Sequence, residues 1–350
     1  MDKVFIAGGT GMLGAATARA FAAAGTAVVV SSRKDQDAIG EVLTAESDLI
    51  SVEKVDLLDR ASVNAAFAKH KFTGMVMVVH THQYAKTRDK NNEIYPITLN
   101  LLEGARKHGV KRVVFGGSMA VYGGLMPPLN ETASFPPEVA AASPAEEQLM
   151  LKFEVATKRA LEIMVLDYGQ PFQMGLSVPP GTQKPEPHEL EVVVLRAPMM
   201  FGPGYQALGS PIGVAVHVAA GRIPAFKGYL GYGGAPMDAF WAGLAAIPTN
   251  YVNDNAQCIQ IAMAAETLPH HVYNIDSGFS RSPRDQLAAL LKVAPESAER
   301  IGLTPEDLPE APFDLGYNGS LFAQDFGWTS KHTLETALAD YVDWVKAHPY

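Results

Sequence analysis

Two hydrophobic periods alternate through the first half of the chain. Short apolar runs rich in β-branched residues recur at Val4–Ala7, Ala27–Val30, Ile50–Val55, Met75–His80 and Arg112–Phe115. Between them, Met12–Ala24 (Ala-rich, stopping at Gly25), Ala61–Lys69 and Ile94–His108 carry apolar residues at helical spacing. A short unbroken apolar run suits a strand buried on both faces, and an intervening helix returns the chain for parallel pairing. The pattern therefore predicts an α/β fold, a parallel sheet with helices on both sides.

After Tyr122 the periodicity fades. Residues 123–147 hold five prolines, Pro127, Pro128, Pro136, Pro137 and Pro144, and predict a long loop followed by a helix from about Pro144 to Tyr168. A second Pro-rich loop, 170–190, precedes a strand at Val192–Arg196. "FGPGYQALGSP" reads as loop, Asn255–Ala265 as helix, Val272–Ile275 as strand, and Pro283–Val293 and Leu334–Ala347 as helices. Loops of that length in a compact domain tend to serve function.

Composition narrows the function classes. With 350 residues, 47% hydrophobic and 19% charged, the chain suits one large α/β domain with a smaller appendage. A net charge of -9 without long like-charge runs argues against nucleic acid or an anionic membrane as partner. The single cysteine, Cys258, excludes an intrachain disulfide and fits a reducing compartment. It lies in an apolar helical stretch and reads as core rather than nucleophile. The start, "MDKVFIAGGTG", reads as a first strand rather than a secretion signal, and no stretch has the length of a membrane span. A soluble cytoplasmic protein is expected. The histidines show no metal-ligand spacing, and His270–His271 falls in a loop, so no metal is expected.

The sharpest chemical cue is "AGGTGMLG" at 7–14, where Gly8, Gly11 and Gly14 follow a predicted strand and open a predicted helix. Glycines there let the backbone turn tightly and approach a pyrophosphate, which meets the N–H groups and positive dipole end of the helix. The second strand ends in Ser31, Ser32, Arg33 and Lys34, where an NAD site would place an Asp or Glu against the ribose hydroxyls. Ser32 and Arg33 suit a 2′-phosphate, so the residues predict NADP over NAD.

Taken with "VDLLD" at 55–59, "NLLEGARKHGVKRVVFGGSMAVYGG" at 100–124, "LRAPMMFGPG" at 195–204, "YVNDNA" at 251–256, "VYNIDSG" at 272–278 and "FGWTSKHTLETALADYVDWVK" at 326–346, the sequence resembles an extended short-chain dehydrogenase/reductase of the NAD-dependent epimerase/dehydratase type. The resemblance implies a doubly wound parallel sheet (Rossmann) with a smaller C-terminal substrate-binding domain. Residues 1–190 would form mainly the dinucleotide-binding part, and 191–350 the remaining sheet elements plus the substrate cap. For the cofactor it implies Gly8, Thr10, Gly11, Met12, Leu13, Gly14, Ser32, Arg33, Asp56, Leu57, His80, Lys158 and Pro198. It further implies a homodimer formed through the helices at Ile94–His108 and Pro144–Tyr168.

In this family a Ser or Thr, a Tyr and a Lys, the last two spaced Y-x-x-x-K, exchange a proton with a substrate oxygen. The resemblance places Ser118 and Lys158 at the first and last of these positions, the latter supported by Glu162 four residues on, where such proteins often have an acidic residue. The tyrosine position falls on Glu154. On an ordinary surface helix, Glu154 and Lys158 would be a favourable i,i+4 pair worth about 0.3–0.5 kcal/mol. In an active site, an ionised Glu154 would serve as a base, and one buried in an apolar pocket as an acid. Tyr84, His82 and Tyr205 are candidate substitutes for the missing proton donor. Met119 and Ala120 stand where sugar dehydratases of this kind carry acidic residues, which disfavours that reaction. Tyr122 reads as structural. Asp238, Arg222 and Trp241 are placed by position near the substrate.

The expected function is NADP-dependent oxidation, reduction or epimerisation at a hydroxyl or carbonyl carbon of a small, sugar-like molecule. A non-redox enzyme, or a silent NADP binder that has lost its tyrosine, is the alternative.

Overall fold

The computed structural model describes residues 2–34, 38–80, 87–123, 125, 127–134, 149–170, 190–204, 210–231, 234 and 236–348. In the first half, strands β1 (Lys3–Ala7), β2 (Ala27–Ser32), β3 (Ile50–Lys54), β4 (Gly74–Met77) and β5 (Arg112–Ser118) alternate with helices. These are α1 (Met12–Ala23), α2 (Ala38–Glu46), α3 (Arg60–His70), the short α4 (Arg88–Asn92) and α5 (Ile94–Lys107). The long helix α6 (Leu149–Tyr168) precedes β6 (Glu191–Ala197) and β7 (Met199–Phe201). Then follow α7 (Pro211–Ala219), α8 (Met237–Gly243), β8 (Thr249–Tyr251), α9 (Val252–Ala264) and β9 (Val272–Asn274). The chain closes with α10 (Pro283–Val293), α11 (Ala298–Ile301), α12 (Ser320–Phe326) and α13 (Leu334–Ala347).

Seven strands form one sheet in the order β3-β2-β1-β4-β5-β6-β9, and every pairing in it is parallel. β7 and β8 form a separate parallel pair. The order reverses direction between β1 and β4, the switch point at which doubly wound sheets open a crevice at the C-terminal strand ends. Strand side chains alternate between faces, and the two apolar layers follow from that. Phe5, Ala7, Met75, Met77, Val113 and Val194 pack against α3, α5 and α6. Val4, Ile6, Val76, Val114, Val193 and Leu195 pack against α1, α9 and α12. Phe5, Phe67 and Phe72 meet with ring centroids 5.0–5.2 Å apart.

A further apolar cluster gathers residues from the C-terminal elements. Ile212, Val214 and Val216 of α7 meet Leu287 and Leu290 of α10 and Leu338, Tyr341 and Val345 of α13. Met12, at the start of α1, packs partly against it. Arg112 links the strands to α9. Its Nη1 donates to the carbonyls of Ala262, Met263 and Ala265 at the C-terminal end of that helix, and its Nη2 lies 2.5 Å from Glu191 Oε2.

Several boundaries differ from the sequence expectation. β4 stops at Met77 rather than His80, because its ladder with β1 ends at Ala7↔Met77, where β1 enters its glycine turn. β5 runs on to Ser118 because β6 pairs with all seven of its residues. The expected loop beginning at Phe201 contributes that residue to β7 and gives way to α7 at Pro211. The expected helix from Pro144 is described from Leu149, and residues 144–148 lie outside the described residues.

Candidate active site

The turn between β1 and α1 is held by backbone atoms and one side-chain hydroxyl, that of Ser31. Gly8 has φ +83, a left-handed conformation that side chains disfavour. Its carbonyl accepts from Gly11 N–H at 3.0 Å, and its own N–H donates to Ser31 Oγ at 3.1 Å. Gly14 lies so close that a Cβ there would overlap the Gly8 carbonyl oxygen. The helix N-cap is Gly11, with no side-chain cap on the first-turn N–H groups. Open N–H donors at a helix N-terminus, reached only past glycine, are what a pyrophosphate requires, so this turn fits a dinucleotide. Thr10, Met12 and Leu13 are half-buried around it.

At the end of β2, Ser31 and Ser32 are buried while Arg33 and Lys34 are exposed. Ser31 serves the glycine turn, and Ser32 Oγ accepts from Lys34 N–H at 3.1 Å. The β2–β3 register sets Ser32 beside Lys54, an exposed cation that sequence reading missed, because its neighbour is set by strand pairing rather than by a motif.

The segment after β3 is held by its own polar atoms. Asp56 Oδ1 accepts from Leu58 N–H at 3.0 Å, and Asp56 N–H donates to Ser62 Oγ at 3.0 Å. Asn100 on α5 donates through Nδ2 to the carbonyls of buried Leu57 (3.1 Å) and of Leu58 (3.0 Å). Asn100 was the other omission. It stood inside a recognised motif, but its partners are 42 and 43 residues away. Pro198 is buried between β6 and β7.

Ser118 ends β5 and caps a single 3-10 turn, Met119–Tyr122, by accepting from Ala120 N–H at 3.1 Å. Lys158 lies on α6, 6% exposed, with Nζ 2.7 Å from His80 Nδ1. Burial pulls the lysine down to about 8, against the opposing charge of Glu154 one turn earlier. Glu154 itself is half-buried, and His80, in the stretch after β4, is exposed. Tyr84, His82 and Tyr205 lie outside the described residues.

Glu162, four residues after Lys158, forms a buried bidentate pair with Arg196, Nε–Oε2 at 3.1 Å and Nη2–Oε1 at 2.5 Å. Arg196 Nη1 also donates to Tyr122 OH at 2.6 Å, and that hydroxyl donates to Asn274 Oδ1 at 2.7 Å. Tyr122 is thus structural, as expected, and burial pushes its hydroxyl up. Asn274 Nδ2 donates to Leu129 O, and its N–H to Glu131 Oε1 at 2.9 Å. Tyr317 OH closes the network on Arg196 O at 2.6 Å.

Trp241 is buried and donates to Gln286 Oε1 at 3.0 Å, and Arg222 is spent on the carbonyls of Val345 and Lys346 at the end of α13. Asp238 sits in the first turn of α8. Cys258 is fully buried, and burial raises its thiol well above the usual range. Among the described residues no group of His, Cys, Asp or Glu could hold a metal, and no helix is long and apolar enough to cross a membrane.

The sequence profile of the NAD-dependent epimerase/dehydratase family matches residues 4–276. The UDP-glucose 4-epimerase of Mus musculus is 31% identical over 136 residues, 35% of this chain and 39% of its own length. That match thus spans about two fifths of the curated relative. Among solved structures, the fold is similar to UDP-glucose 4-epimerase from Bifidobacterium longum in complex with NAD+ and UDP. The TM-score is 0.68 at 18% identity, with 99% of each chain covered. It is also similar to UDP-glucose 4-epimerase from Thermus thermophilus in complex with NAD. There the TM-score is 0.65 at 22% identity, with 98% of each chain covered.

Proposed function

Because this chain belongs to the NAD-dependent epimerase/dehydratase family, we propose that it is an NADP-dependent oxidoreductase or epimerase acting at a hydroxyl-bearing carbon of a small sugar-like molecule. The observation that carries this reading is a glycine turn fit for a pyrophosphate in the same chain as Ser118, at the C-terminal end of β5, and Lys158 on α6. The bound nicotinamide supplies hydride acceptance and donation.

The residues of this chain do the rest. Ser118 Oγ–H donates to the substrate oxygen and fixes its position. The proton of that oxygen is exchanged with the Glu154–Lys158 pair, which occupies the place of the family's Tyr–Lys pair. Tyr84 is a further candidate donor. Arg33, with Lys34 beside it, binds the 2′-phosphate, and β2 ends in Ser32 rather than in a carboxylate. Asp56 and Leu57 line the base, and the C-terminal apolar cluster carries the substrate cap. Several relatives are named for UDP-sugars, so nucleotide sugars are the first substrates to test. The protein works as a homodimer through α5 and α6, where Leu99 (44% exposed) and Ile163 (67% exposed) present unpaired apolar surface.

Titrating the protein with NADPH and NADH, followed by nicotinamide fluorescence, tests this reading. NADPH is expected to bind about 10–100-fold more tightly, the equivalent of about 1.5–3 kcal/mol from charge-assisted bonds. Arg33→Asp should abolish the difference. Equal binding of both would remove the NADP assignment, and binding of neither would sink the oxidoreductase.

The retained alternative is a non-redox enzyme or a silent binder. It is favoured by one observation, that Glu154 stands where the family carries its tyrosine. If the protein binds NADPH but never changes its redox state with any nucleotide sugar, this alternative prevails.

A further inference from the structure

Lys158 is a buried amine, and a buried amine trades protons with water slowly unless a neighbour carries them. That neighbour is present. His80 Nδ1 lies 2.7 Å from Lys158 Nζ, and His80 is exposed. A lysine has only donors when charged, so the bond runs from Nζ–H to Nδ1. An imidazole that accepts at one nitrogen carries its hydrogen on the other, here Nε2. The lysine is buried and the residue it bonds is exposed, so the pair joins the interior of the site to its surface.

We propose that His80 is the proton conduit of Lys158, exchanging protons between the buried amine and water. The proposal rests on the oxidoreductase reading for its use in turnover, though not for its geometry. In the direction from hydroxyl to carbonyl, the hydroxyl proton arrives on the neutral amine of Lys158. A proton then moves from Nζ to Nδ1 while Nε2 releases its own to water, and the ring regains its first tautomer by exchange with solvent. One proton leaves the substrate and one enters water. The accompanying hydride requires the nicotinamide acceptor named above.

Among the described residues, the amine feels the charge of Glu154 from the same helix and the neutral imidazole of His80 from the stretch after β4. Burial, which brings Lys158 down to about 8, makes its neutral form accessible at ordinary pH.

The test is made on the protein without substrate or cofactor. Ammonium-selective NMR follows exchange of the Lys158 Nζ hydrogens with water. His80→Gln keeps an acceptor for Nζ but cannot pass a proton on, and exchange is expected to slow by about tenfold or more. In His80→Ala, exchange should be equally slow and should recover when free imidazole is added. Unchanged or faster exchange in both variants, with no response to imidazole, overturns the proposal, since removing a merely packed histidine would only admit water. If His80→Gln does not fold, the imidazole response of His80→Ala decides. The NADPH titration of the unaltered protein is read separately. Its failure would remove the oxidoreductase reading while leaving the exchange result to stand or fall alone.

Discussion

Lys158 is buried deeply enough for its charge to be felt in the stability of the whole chain. An ordinary lysine releases its proton near 10.5, whereas this one does so at about 8 because burial disfavours the ammonium. Between those values the unfolded chain holds a proton that the folded chain lacks, so stability rises with pH through that window. Below it, the charged form costs about 3 kcal/mol. Lys158→Met should therefore raise stability at pH 7 and flatten the increase between about pH 8 and 10.5. Urea denaturation at several pH values checks this, and an unaltered pH dependence would show that another group is responsible. At this scale the sequence was most readable where spacing encodes chemistry. Ser118 and Lys158 could be located by motif, and Cys258 by its apolar surroundings. The partner of Glu162 was not legible, because helical spacing names a face, not a partner: Arg196 lies on a strand 34 residues on.

Among the elements, the β1–α1 unit has the least freedom to change. Gly14→Ala places a methyl group against the Gly8 carbonyl, so either the turn or the first turn of α1 must shift. A loss of about 1–3 kcal/mol is expected from the overpacking, together with weakened NADPH binding. Wild-type midpoints in urea and wild-type NADPH affinity would show that the turn tolerates a side chain. Elements with a clear period were legible: Pro283–Val293 and Leu334–Ala347 fall where the pattern put them. α7 was not, because nearly every residue of it is buried. A helix enclosed on all sides has no polar face and so shows no period. β7 and β8, three residues each, are too short to carry one.

For the whole molecule, the alternation of strand and helix sufficed to predict the parallel sheet. What it could not supply was the joining of distant segments. The network Glu162–Arg196–Tyr122–Asn274, closed by Tyr317, draws together α6, β6, the turn after β5, β9 and the segment before α12. Its members lie up to 195 residues apart (from Tyr122 to Tyr317), beyond the reach of any local pattern. The proposed dimer uses the outer faces of α5 and α6. Replacing the exposed Ile163 by Glu should shift a dimer toward monomer without lowering the stability of the fold. Sedimentation velocity against concentration checks this, and an unchanged mass distribution would place the interface elsewhere.

Cys258 has one more consequence. It is the only thiol in the chain, and it is sealed between α9 and the sheet. An aromatic disulfide reagent can reach it only when that layer opens, so each labelling event records one opening. The native chain thus carries its own clock, one that needs no engineered probe. α9 packs along α1, the helix that begins at the glycine turn, so a nucleotide seated on that turn would make the clock run slower.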